Sequence, residues 1–156
     1  MKKKKGFTLI ELIAVVAILA VLAAVAVPRV ISYVEKSKIT ALKTTCKILN
    51  DATLSAYNDG YLDNLIKKTR PQVENEASMS NDEVLNYVNL NEIVNLLYEK
   101  GLLKGNEKNT RNVIKNLSVF GYVDLIIKAP ENMIKVDSNG GLTQESANEI
   151  YEKYWK

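Results

Sequence analysis

The sequence contains no histidine, and its only cysteine is Cys46. A Ser-His or Cys-His catalytic pair therefore cannot be assembled. Nor can a metal site of the His/Cys type or a disulfide within the chain. Neither metal, cofactor nor enzymatic activity is expected. Positive charge is also scarcer than the formal +3 suggests, because Lys2, Lys3, Lys4 and Lys5 form one block. Without them 17 basic residues face 18 acidic ones, a net of −1. The basic balance thus belongs to a single short stretch, and nucleic acid binding is not indicated.

Polar residues are almost missing from one segment. Between Phe7 and Val27 only Thr8 and Glu11 are polar, and no glycine or proline interrupts before Pro28. At about 1.5 Å per residue a helix over this run crosses a hydrocarbon core of roughly 30 Å. Its backbone groups are satisfied internally, so helix is the natural state in lipid. The lysine block favours a cytoplasmic N-terminal end, although Arg29, Lys36 and Lys38 on the far side weaken that bias. The remaining polar-rich sequence, about 100 to 130 residues, suffices for one small domain.

Three readings of the apolar run compete. An ordinary signal peptide would be cut after Ala26, at the Ala24-Val25-Ala26 site, and release a soluble secreted binding module. A plain single-pass anchor would leave a monomeric membrane-bound domain. In the third reading Glu11 is a working residue. A carboxylate at the bilayer centre costs on the order of 3 kcal/mol, less near an interface, and intramembrane carboxylates are functional candidates by default. Neither of the first two readings needs such a residue, so Glu11 favours the third.

Gly6-Phe7-Thr8-Leu9-Ile10-Glu11-Leu12, after the lysine block and ahead of an apolar run to Pro28, resembles the class III signal of type IV pilins and type II secretion pseudopilins. The resemblance covers about the first 30 residues. One departure is Ala20, where many members of that family carry glycine, so local melting of the helix is less easy here.

The resemblance implies a structural subunit of a pilus or pilus-like filament. Gly6 would be the last leader residue, cut by a prepilin peptidase, and Phe7 would become an N-methylated terminus. Glu11 would pair with the cationic α-amine of an incoming subunit's Phe7, relieving two buried charges and setting the axial register. The implied partners are copies of itself or related pilins and an assembly ATPase and platform complex. The precursor would sit in the cytoplasmic membrane with its N-terminus inside, and the assembled pilus at the cell surface. Major pilin, minor pilin and pseudopilin share this segment, and Glu11 argues mildly against a subunit that only caps a tip.

Pro28 removes one helical hydrogen bond and crowds the Ala24 carbonyl. Because the apolar pattern continues, a kink within one long helix is expected rather than an end. From Arg29 to Tyr57 a stripe of Ile39, Leu42, Cys46, Leu49, Thr53 and Ala56 recurs at spacings of three and four, one buried helical face. Cys46 lies in that stripe and reads as a buried free thiol. Asn58-Asp59-Gly60 is a stop signal.

The expected fold is α+β and pilin-like: a long kinked N-terminal α-helix packed on a small domain of helices and a short antiparallel sheet. The expected divisions are a leader at 1–6, an apolar core helix at 7–28, its amphipathic continuation at 29–59 and a head domain at 60–156. Within the head, 61–79 reads as a loop with a helical turn at 62–67. Ser80-Asn81-Asp82-Glu83 is a capping box, and a helix follows at 90–100 with Gly101 as its stop. Leu117, Val119, Val123, Leu125 and Ile127 alternate with polar residues, which predicts a strand with a bulge at Gly121 and a returning strand at 133–137. Thr143 is expected to cap a C-terminal helix. Asp137-Ser138-Asn139-Gly140 resembles part of a calcium loop but lacks its spacing and is read as a turn. Asn116-Leu117-Ser118 is a chance match to a glycosylation acceptor.

Overall fold

A computed structural model describes residues 6–73 and 76–155. Its longest element, α1 (Leu9–Asn58), runs through Pro28 as helix on both sides, so the helix does not end at the proline. Two compact units divide the chain, one ending at Ser37 and the other starting at Lys38. In the first, every described residue is exposed.

Among the described residues the second unit is built from the remainder of α1 and six further helices: α2 (Asp63–Thr69), α3 (Asn81–Leu85), α4 (Leu90–Glu99), α5 (Glu107–Val113), α6 (Gly121–Lys128) and α7 (Gln144–Tyr154). The buried residues of α1 are Ile39, Leu42, Cys46, Leu49, Thr53 and Ala56, the stripe expected from the spacing. The Thr53 hydroxyl is satisfied within the helix, donating to the Leu49 carbonyl at 2.7 Å. Lys43 stands beside the stripe and donates to the carbonyls of Ala129 (2.6 Å) and Ile127 (3.3 Å), the otherwise unpaired end of α6.

The helix ends follow local chemistry. α1 closes in a Schellman motif: Gly60 takes φ +75°, its N–H reaches the Tyr57 carbonyl, and Tyr61 N–H reaches Ala56. Gly101, at φ +68°, ends α4 in the same way. The Ser80–Glu83 capping box forms in full at the start of α3, and Thr143 caps α7 by accepting from Ser146 N–H. Asn106 caps α5, a helix not expected from the sequence.

α4 supplies the middle of the core, with Leu90, Ile93, Val94 and Leu97 fully buried. Burial of each such aliphatic side chain contributes about 1.5 to 3 kcal/mol. Around them lie Leu117, Val123, Ile126 and Ile150, also buried. α6 and α7 meet closely at Gly121, where a Cβ would lie 2.5 Å from the Trp155 indole. Trp155 stands edge-on to Tyr87 and Tyr122, and Tyr122 stacks on Tyr151 at 3.7 Å between centroids.

The expected antiparallel sheet does not form. Among the described residues there are no strands, only isolated bridges between Asn89 and Val119 and between Val136 and Leu142. The segment read as a bulged strand instead turns at 117–120 and becomes α6, and 133–137 begins with the end of a short 3-10 turn. The physical reason is a pattern that fits both periods. Leu125-Ile126-Ile127 is apolar on every residue, and the buried set Phe120, Val123, Ile126 and Ala129 recurs every third residue, a helical face. The loop expected at 61–79 likewise holds α2 and two 3-10 turns. The head is helical rather than α+β.

Candidate functional site

The residues singled out near the N-terminus lie in the first unit, at the start of α1. Lys2 to Lys5, most of the expected leader, fall outside the described residues. A Cβ on Gly6 would meet nothing within 4 Å, so packing among the described residues does not require glycine there. Phe7 is 87% exposed.

Thr8 and Glu11 form a capping box. The Glu11 Oε2 accepts from the Thr8 backbone N–H and from the Thr8 hydroxyl, both at 2.8 Å. In return the Thr8 hydroxyl oxygen accepts from Glu11 N–H at 3.3 Å. Two orphan donors at the helix start are thereby satisfied. Thr8 was not expected to take part, although Thr-x-x-Glu ahead of an apolar run is itself a legible signature. The Glu11 Oε1 has no hydrogen-bond partner and the carboxylate no ion pair among the described residues. The carboxylate is thus oriented by its own helix, and no described residue neutralises it.

Behind it the helix is apolar on all faces and, among the described residues of the first unit, exposed along its length. Its most apolar window has a mean hydropathy of 3.0 and none of it is buried. Ile13, Leu19, Leu22 and Val27 are each more than half exposed. A helix apolar all round belongs in lipid or against other helices. Ala26, at the rival cleavage site, and Pro28 both lie inside this helix. The Ala24 carbonyl is the acceptor that loses its usual partner at Pro28.

The family model of the prokaryotic N-terminal methylation motif matches residues 1–27. This is the class III signal of type IV pilins and pseudopilins. The motif and the long apolar helix fit a type IV pilin-like precursor anchored in a membrane, and the motif implies processing by prepilin peptidase and pilin assembly in general. No curated protein and no solved structure matches the chain.

Elsewhere, no cluster of three or more His, Cys, Asp or Glu residues that could hold a metal occurs among the described residues. Cys46 is fully buried and burial pushes its thiol up to about 12, which suits a packed side chain and not a nucleophile. Asp137 accepts from the N–H groups of Asn139 (2.8 Å) and Gly141 (3.0 Å) and pairs with Lys115, the turn chemistry expected of that segment.

Proposed function

We propose that this protein is a structural subunit, not an enzyme, of a type IV pilus or pilus-like filament. It is made as a prepilin, cleaved between Gly6 and Phe7, N-methylated at Phe7 and assembled through its apolar N-terminal helix. The observation that carries this reading is an all-round apolar helix, exposed among the described residues, that opens on a capped carboxylate with no ion pair among them, within a methylation motif.

Each part of the signal has a physical task in this reading. Gly6 is free of any demand from the fold, so its small size serves the subsite of the peptidase. The exposed Phe7 offers the bond to be cut and afterwards a cationic α-amine. Glu11 meets that amine from a neighbouring subunit, and Thr8 holds the carboxylate while it waits. In a medium of low dielectric an unpaired charge is costly and a paired one much less so, so the pair favours one axial register over others. Pro28 supplies a kink and a weak point in the hydrogen-bond ladder. The precursor crosses the cytoplasmic membrane once with its N-terminus inside. An assembly ATPase and platform complex then moves it into a surface filament of itself or related pilins.

The decisive experiment is mass spectrometry of the mature N-terminus of the native protein. N-methylated Phe7 is the expected result. A chain beginning at Val27 would make it a secreted soluble module, and an intact Met1 or Lys2 a plain membrane anchor; either ends the filament reading.

A further inference from the structure

A cleft of about 440 Å³ opens in the second unit, within the size range of small-molecule sites. Five amide side chains line it: Asn89 and Asn91 at the start of α4, Asn116 in the turn before α6, and Gln144 and Asn148 on the first turns of α7. Segments far apart in sequence thus bring one chemistry to one place. Tyr122 and Tyr151, stacked on each other with an interplanar angle of 19°, add an aromatic wall.

The amides are held, not loose. Asn89 Oδ1 accepts from Asn91 N–H at 2.9 Å, and Asn91 Oδ1 accepts from Arg111 at 3.3 Å. Asn116 Nδ2 donates to the Leu142 carbonyl at 2.6 Å, and Gln144 Nε2 donates to Asn148 Oδ1 at 2.8 Å. Tyr151 donates its hydroxyl to the Asn116 carbonyl at 2.8 Å, which ties α7 to the turn before α6. Each amide therefore has one end committed to the protein. The other ends make no hydrogen bond among the described residues: the Nδ2 groups of Asn89, Asn91 and Asn148 as donors, and Asn116 Oδ1 and Gln144 Oε1 as acceptors.

This set has a definite complement. Among the described residues no carboxylate lines the cleft, and the one cation that does, Lys115, is paired with Asp137. A strongly anionic ligand would leave the spare acceptors facing like partners, and a cationic one would leave the spare donors unused. A ligand hydroxyl both donates and accepts, so vicinal hydroxyls satisfy a mixed array of amide donors and acceptors at once. A pyranose also carries an apolar face for contact with an aromatic wall. Amides fixed beforehand lose little freedom when such a ligand arrives.

We infer that this cleft is a binding site for a neutral, hydroxyl-rich ligand, a pyranose unit of a glycan. The inference concerns the second unit alone and stands whether or not the chain assembles into a filament. A single sugar of this size binds with a dissociation constant on the order of 1 mM.

The test is saturation-transfer NMR on the full chain in phosphatidylcholine nanodiscs, since glycoside detergents would compete. The probes are galactose, mannose and N-acetylglucosamine, with glucuronate and a short oligothymidylate as charged controls. Transfer to the ring protons of at least one neutral sugar is expected, weakened by about tenfold in a Gln144→Ala, Asn148→Ala double variant and unchanged in Asn132→Ala. Both residues of the double variant are exposed, so its far-ultraviolet circular dichroism should match the parent. If that variant does not fold, the side-chain amide resonances of the parent must shift on adding the sugar. Absence of transfer from all three sugars, equal transfer in the folded double variant, unmoved amide resonances, or preferential binding of glucuronate or the oligonucleotide would each overturn the proposal.

Discussion

Replacing Glu11 by glutamine separates the helix capping seen in the structure from the ion pair proposed for the same carboxylate. In the structure, Oε2 accepts two hydrogen bonds from Thr8 at 2.8 Å, which closes the capping box of α1. A glutamine at the third helical position closes such a box as well, so Glu11→Gln keeps the helix start while removing the charge. Glu11→Ala removes both. Each variant eases membrane insertion, because a neutral side chain is less costly in lipid than a carboxylate. In a filament core the outcome reverses. A neighbour's Phe7 α-amine would be left buried without a counter-charge, a penalty that weakens subunit addition by on the order of 100- to 1000-fold. Both variants should therefore accumulate in the membrane fraction at parental level and be absent from sheared filaments. Immunoblotting of the two fractions reads this directly. If Glu11→Gln subunits enter filaments as well as the parent does while Glu11→Ala subunits do not, capping is the carboxylate's task and the ion-pair reasoning fails.

Further outcomes follow from the same geometry. Gly6→Val should leave helix content unchanged, since nothing lies within 4 Å of its Cβ, yet accumulate uncut precursor by mass spectrometry. Leu97→Ala removes a fully buried side chain at the centre of the core and should lower the stability of the second unit by about 2 to 5 kcal/mol in urea melts. Gly121→Val would drive a side chain into the only tryptophan, Trp155, so its fluorescence should shift to the red as the ring leaves its seat. The Cys46 thiol has its ionisation raised from 9.0 to about 12 in the fold, so the unfolded chain loses this proton first as pH rises. Stability is retained below pH 9.0 and falls toward about 12, and Cys46→Ala should flatten that fall in thermal melts; Tyr151, raised by burial, adds in the same direction.

The residues that carry the methylation motif are contiguous, and their meaning needs no folding to appear. An apolar run from Phe7 to Val27 is helical in lipid because a helix satisfies its own backbone, and a stripe such as Ile39, Leu42, Cys46, Leu49 declares its buried face by spacing alone. Capping signals at Ser80 and Thr143 are legible for the same reason, as is Thr8–Glu11, whose pattern stands in the sequence. Such features depend on partners three or four residues away.

What tertiary structure alone decided depends on partners much further off. Gly121 to Lys128 has apolar residues enough for either a strand or a helix, and it is α6 because Val123 and Ile126 face the core while Gly121 leaves room for Trp155. The amide-lined cleft joins residues from 89 to 151, none of which signals the others along the chain. Local hydrogen bonding determined the long helix and its chemistry; packing between distant apolar faces determined that the head is helical and where its surface opens.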